Sequence, residues 1–83
     1  MDEQLVDFAE TAIREFLVVR PDSADTLEGI HRWWICWPDL AESPIVTQIA
    51  LERLESAGEL ERFKVGNSIL WRRPRTPAPS TVG

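Results

Sequence analysis

The first amphipathic pattern covers residues 3–19, where the spacing of apolar positions predicts a helix. One stripe of apolar side chains recurs every three or four residues, and a second set widens it. The stripe consists of Leu5, Phe8, Ala12, Phe16 and Val19, and the second set of Val6, Ala9, Ile13 and Leu17. So broad an apolar face indicates either a core helix or a helix that packs on two partners. Pro21 disfavours helical backbone at Arg20 and therefore ends the element.

A second helix is predicted from Leu27 to Cys36. Its inward positions at helical spacing are Leu27, Ile30, Trp34 and Trp37. His31 falls on another side and is expected at the surface or rim, whereas Cys36 is expected to be a small buried hydrophobe. Residues 24–26 are either a short strand or a loop, and Pro38 ends the helix.

The third helix begins after Ser43, which with Pro44 suits the first turn of a helix. Placing Leu54 at the centre of the inward face adds Thr47, Ala50 and Leu51 to that face. The outward face then carries Ile45, Gln48, Ile49, Glu52 and Ser56. Alternatively, the helix is rotated and both isoleucines belong to the core. Gly58 follows the last periodic residue, where a left-handed cap is needed.

Two β-prone runs, LERFKV and SILWRR, flank the dipeptide Gly66-Asn67. A Gly-Asn pair between such runs predicts a two-residue hairpin turn, with residues 60–65 paired antiparallel to 68–73. In that register Glu61 lies opposite Arg72, and Arg62 faces Trp71. We therefore expect a cross-strand ion pair and a cation–π contact there.

A helix that closes at glycine and leads directly into a hairpin resembles the second half of a winged helix-turn-helix. The string LERLESAGELERF is similar to the junction between the recognition helix and the first wing strand of that superfamily. The resemblance covers most of residues 23–73. It implies an α+β fold, a small winged helix with three helices and a C-terminal β-hairpin wing. We assign residues 1–75 to this domain and expect residues 76–83, rich in Pro, Ser and Thr, to form a disordered tail.

Charge is distributed unevenly along this acidic chain of net charge −5. Residues 1–42 carry ten carboxylates against three arginines, whereas residues 43–83 carry four carboxylates against six cations. Any attraction to phosphate is therefore local to the hairpin, and the whole molecule repels nucleic acid at long range.

The composition favours a non-enzymatic protein of the cytoplasm. With one Cys and one His, the chain can form no intramolecular disulfide and no Cys/His zinc site by itself. Five positions separate His31 from Cys36, so a helix does not align them as a base and a nucleophile. We expect no catalytic residues, no metal and no cofactor. No apolar run approaches the roughly 20 residues that a membrane span needs, and the acidic N-terminus lacks a signal-peptide core.

Two functions are compatible with these patterns. The first is a protein-interaction adaptor that binds a larger protein or a second copy of itself. Its candidate contact residues are Trp33, Ile45, Gln48, Ile49 and Glu52. The second is a DNA-binding transcriptional regulator, the function that the resemblance most often implies. Its candidate contacts are Arg53, Arg62, Lys64, Arg72 and Arg73. We favour the first, because a helix that reads DNA needs polar and cationic side chains on the outward face that here carries Ile45 and Ile49.

Overall fold

A computed structural model of the chain describes residues 2–38 and 42–74. The elements are α1 (Glu3–Val19), β1 (Ala24–Asp25), α2 (Leu27–Gly29), a π-helical turn called here the π turn (Ile30–Trp34), α3 (Pro44–Ser56), β2 (Glu61–Val65) and β3 (Ser68–Arg72). The fold is therefore α+β, as predicted. The expected tail, residues 76–83, lies outside the described residues.

The predicted first helix is confirmed as α1. The Asp2 side chain caps it by accepting a hydrogen bond from the backbone N–H of Gln4 at 2.9 Å. Its most buried positions are Val6, Ala9, Ile13 and Leu17. The core thus lies under the second apolar set, and the stripe from Leu5 to Val19 flanks it.

The predicted end of the second helix at Cys36 is wrong. The hydroxyl of Thr26 caps α2, but helical structure stops at Trp34, and Ile35 is extended with φ −107° and ψ 125°. Pro38 disfavours helical backbone at Trp37. The Trp37 indole N–H instead donates to the His31 carbonyl at 2.9 Å, which satisfies an acceptor at the end of the π turn.

The third helix and its glycine stop are confirmed. The Ser43 hydroxyl accepts from the backbone N–H of Ile45 at 3.2 Å, and Pro44 occupies the first turn. Gly58 has φ 79°, a left-handed conformation that costs other residues energy. This turn lets the N–H of Glu59 donate to the Leu54 carbonyl at 2.9 Å and directs the chain into β2.

The sheet has the strand order β1-β3-β2, and both pairings are antiparallel. Strands β2 and β3 form the predicted hairpin, in which Val65 pairs with Ser68 across Gly66-Asn67. Gly66 has φ 60°, consistent with a turn that needs glycine at its first central position. Of the two alternatives for residues 24–26, the strand is correct, because Ala24 pairs with Arg72.

The hydrophobic core lies between α1, the π turn and α3, with the base of the hairpin closing one end. Its buried members are Val6, Ala9, Ile13, Leu17, Ile30, Trp34, Ile35, Val46, Ala50, Leu51, Leu54, Leu60 and Trp71. The predicted inward face of α3 is confirmed, since Leu54, Leu51, Ala50 and Thr47 are all buried.

Candidate interaction surface

The outward face of α3 is apolar at its start and acidic further along. Ile45 leaves 56% of its surface exposed. One turn later, the Gln48 amide donates to the Glu52 carboxylate at 3.2 Å, so these two polar side chains bind each other. Ile49 is half-buried and packs against the core, so its expected outward position is corrected to the edge of that face. Of the two isoleucines, Ile45 is the one available to a partner.

A shallow groove of about 390 Å³ lies beside the start of α3. Leu27, Pro44 and Ile69 supply its apolar lining, and Glu28 lies at its margin. Ile69 is 41% exposed, so the groove continues onto the hairpin. The groove joins the first turn of α3, at Pro44, to β3, at Ile69, and Ile45 is the next residue of that first turn.

The only arginine of α3 is directed toward α1. Arg53 donates to the Glu3 carboxylate at 2.8 Å and lies 3.6 Å from that of Glu10. The hydrogen bond with Glu3 raises the pKa of Arg53 and lowers the pKa of Glu3. Arg53 therefore joins α3 to α1 and does not face the outward surface with Ile45.

Arg62 of β2 is held by two neighbouring groups. It donates to both oxygens of Glu55, at 2.8 and 3.0 Å, and its guanidinium lies 4.5 Å from the centre of the Trp71 ring. The hydrogen bond with Arg62 lowers the pKa of Glu55, and the same bond raises the pKa of the arginine. The expected cation–π contact is confirmed, whereas the pairing with Glu55 was not foreseen.

Arg72 of β3 is held in the way the register predicts. It donates to Glu61 at 2.7 Å, and its guanidinium lies 4.0 Å from the centre of the Phe63 ring. The expected cross-strand ion pair is thus confirmed. Lys64 and Arg73 are exposed, and neither has a carboxylate within ion-pairing distance among residues 2–38 and 42–74. Of the five candidate DNA contacts, these two remain available.

The tryptophan-rich segment divides between core and surface. Trp33 is 76% exposed, while Trp34 is buried and stacks on Phe16 with ring centres 4.4 Å apart. Trp37 is half-buried and lies 5.6 Å from Phe8. Trp33 is thus available to a partner, but it belongs to the π turn and not to α3.

Two expectations for this segment are wrong. His31 is buried, because its ring packs near Trp37 and its Nδ1 shares a 2.6 Å hydrogen bond with the Thr47 hydroxyl of α3. Cys36 is exposed, because the extended backbone after Trp34 turns it away from the core. The signal missed for His31 was the buried hydroxyl at Thr47, which needs a hydrogen-bonding partner inside the core.

The described residues contain no cluster of three or more His, Cys, Asp or Glu side chains arranged to hold a metal ion. Within that same part of the chain, no helix combines the length and the apolar character needed to cross a membrane. Comparison with protein-family models, curated proteins and solved structures finds no significant match.

Proposed function

We propose that this protein is a non-enzymatic protein-interaction module with a winged-helix fold. The order of helices and strands supports the fold assignment, since β1 precedes α2 and pairs with β3 beside the hairpin. The function is inferred from the chemistry of the surfaces, because one fold can serve many functions.

The observation that carries the proposal is the outward surface at the start of α3. Ile45 is exposed there, Glu52 is acidic, and the only arginine of the helix binds carboxylates of α1. A helix that enters the major groove of DNA would have to place cationic or amide side chains there. An apolar surface rimmed by polar groups is typical of protein interfaces instead.

The proposed contact surface consists of Ile45, the groove beside the start of α3, and the exposed indole of Trp33 as a second contact. Burying one aliphatic side chain of this size contributes about 1.5–3 kcal/mol, and tryptophan is enriched among residues that dominate binding energy. The partner is a larger protein or a second copy of the chain.

A matched pair of variants tests this proposal. Ile45→Glu should abolish partner binding or self-association, while Val19→Glu, at a position 76% exposed on α1, should leave it unchanged. Sedimentation and affinity capture from source lysate provide the measurements, and thermal unfolding checks that both variants fold. Equal binding by both variants would refute the proposed surface.

DNA binding remains the second candidate because Lys64 and Arg73 are exposed and Arg62 and Arg72 lie on the same hairpin. A hairpin with four cations can contact phosphates without reading bases. This alternative predicts binding that is independent of Ile45 and strongly dependent on salt.

A further inference from the structure

Strand β2 forms an edge of the three-stranded sheet, since β3 lies between it and β1. In a hairpin with a two-residue loop, the residues flanking the loop form a hydrogen-bonded pair, and such pairs alternate along the ladder. Val65 and Ser68 flank the loop and form such a hydrogen-bonded pair. The next one is Phe63 with Leu70, so the peptide groups of Phe63 bond to β3. The backbone N–H and C=O groups of Arg62 and Lys64 consequently point away from the sheet.

The side chains along this edge alternate in chemistry. Arg62 and Lys64 lie on the face of Trp71, whereas Phe63 and Val65 lie on the opposite face. Val65 is 55% exposed and Phe63 is half-buried beneath Arg72. A strand added to this edge would therefore meet cations on one face and apolar side chains on the other.

A second copy of β2 does not suit this edge. Two-fold symmetric pairing through the outward peptide groups would place Arg62 opposite Lys64 of the other copy, or one of these two residues opposite its own equivalent. Like charges directly opposite each other destabilise a strand pair. The edge of β2 therefore disfavours pairing with a second copy of β2. A strand with acidic residues would complement its cations.

We propose that the edge of β2 binds an extended segment of another protein whose residues alternate between acidic and apolar. The segment adds a fourth strand, its backbone pairs with the peptide groups of Arg62 and Lys64, and its carboxylates lie beside the Lys64 ammonium. Its apolar side chains cover Phe63 and Val65. This inference goes beyond the proposed function, because the surface is separate from Ile45 and can fail independently of it.

The test uses the full chain and an end-capped peptide of alternating glutamate and valine, with a lysine–valine peptide as the charge-reversed control. Titration calorimetry should detect saturable binding of the acidic peptide alone, weakened by added salt. Ile45→Glu should bind the peptide as tightly as the wild type. Loss of binding in Ile45→Glu, or equal binding of the basic peptide, would overturn the proposal.

Two substitutions at Lys64 distinguish the contribution of its backbone N–H to peptide binding from that of its side-chain charge. Lys64→Pro removes the outward N–H but no hydrogen bond to β3, and proline is tolerated on an edge strand. It should weaken peptide binding about tenfold or more, because it also places a ring where the added strand must lie. Lys64→Ala keeps the N–H, so it should weaken binding by a smaller factor. Thermal unfolding confirms that both variants are folded.

Four outcomes would contradict the proposed edge. If Lys64→Pro binds like the wild type, the edge is not used. If Lys64→Ala loses as much affinity as Lys64→Pro, or if random duplex DNA competes with the peptide, the hairpin acts only as a positive charge. If the wild type forms a dimer that Lys64→Pro abolishes, the occupant is a second copy.

Discussion

The helical body and the hairpin are held together by different forces. In the body, α1, the π turn and α3 bury apolar side chains around one hydrogen-bonded polar pair, His31 and Thr47. The hairpin contributes mainly Trp71 to that core, and Leu60, the residue just before β2, is buried with it. Its other attachments include the antiparallel pairing of β3 with β1 and the surface ion pair of Arg62 with Glu55.

Because surface contacts hold some of its cations, the hairpin offers a ligand fewer cations than it carries. Arg62 and Arg72 are both occupied by carboxylates and aromatic rings. A ligand that used them would have to compete with these contacts. The body, in contrast, uses its interior for stability and leaves Ile45 and Trp33 exposed.

The largest expected effect is in the body. Leu54 is 1% exposed, so Leu54→Ala should leave a cavity and destabilise the protein by about 2–5 kcal/mol. Chemical denaturation followed by circular dichroism measures this loss. A loss below about 1 kcal/mol would contradict the assignment of Leu54 to the centre of the core.

The buried polar pair should have the next largest effect. Thr47→Val keeps the side-chain shape but leaves His31 Nδ1 without its partner, which costs about 1–3 kcal/mol. The double variant Thr47→Val with His31→Phe removes both polar groups and should recover part of that loss. Additive losses in the double variant would show that the two side chains do not interact.

The junction between the two regions should be less sensitive. Gly58 has φ 79° and no atom close to where a β-carbon would stand, so only backbone strain opposes Gly58→Ala. We expect a destabilisation of about 1 kcal/mol, measured by thermal unfolding. Gly66→Ala, at φ 60° in the hairpin turn, tests a second position with a positive φ that is away from this junction.

The smallest effect concerns the ion pairs. Arg14 of α1 donates to Glu59 at 2.7 Å, and this hydrogen bond lowers the pKa of Glu59 from its ordinary value of 4.5. A lowered pKa in the folded state stabilises the protein above pH 4.5, and that contribution is lost as the pH falls through the folded value. Both side chains are solvent-exposed, so the pair should contribute about 0.2–1 kcal/mol.

A pH comparison isolates that contribution. The wild type should melt slightly higher than Glu59→Gln at neutral pH, and the difference should shrink as the pH falls below 4.5 and the carboxylate becomes protonated. A difference that is constant with pH would mean that the carboxylate charge plays no part.

Elements that follow from regular apolar spacing and from turn residues could be predicted from the sequence, whereas departures from a regular helix could not. Ser43, Gly58 and Gly66 mark the ends of α3 and the hairpin turn through local backbone preferences that act wherever these residues occur. The second helix ends where the Trp37 indole donates to the His31 carbonyl and the backbone becomes extended at Ile35. Cys36 lies in this extended segment, and the spacing of apolar residues did not predict its exposure.

The contacts of the candidate site also divide into those that the sequence predicts and those that depend on packing. The cross-strand partners Glu61 and Arg72 followed from the hairpin register. The link between Arg53 and Glu3, fifty residues apart, depends on how α3 crosses α1, which a single sequence does not specify. Ile49 is half-buried for the same reason, since the rotation of α3 is set by packing.

The central claim, that the outer surfaces serve a protein partner and not DNA, is tested most directly by titrating fluorescently labelled random duplex DNA with the protein. With two of the four hairpin cations, Arg62 and Arg72, already paired and a net charge of −5, the account predicts binding no tighter than about 10⁻⁴ M at physiological salt. Replacing Glu55 and Glu61 together by glutamine should tighten it by releasing Arg62 and Arg72. Micromolar binding by the wild type, weakened by salt and lost on changing Arg62, Lys64 and Arg72 to alanine, would contradict the account and favour a DNA-binding protein.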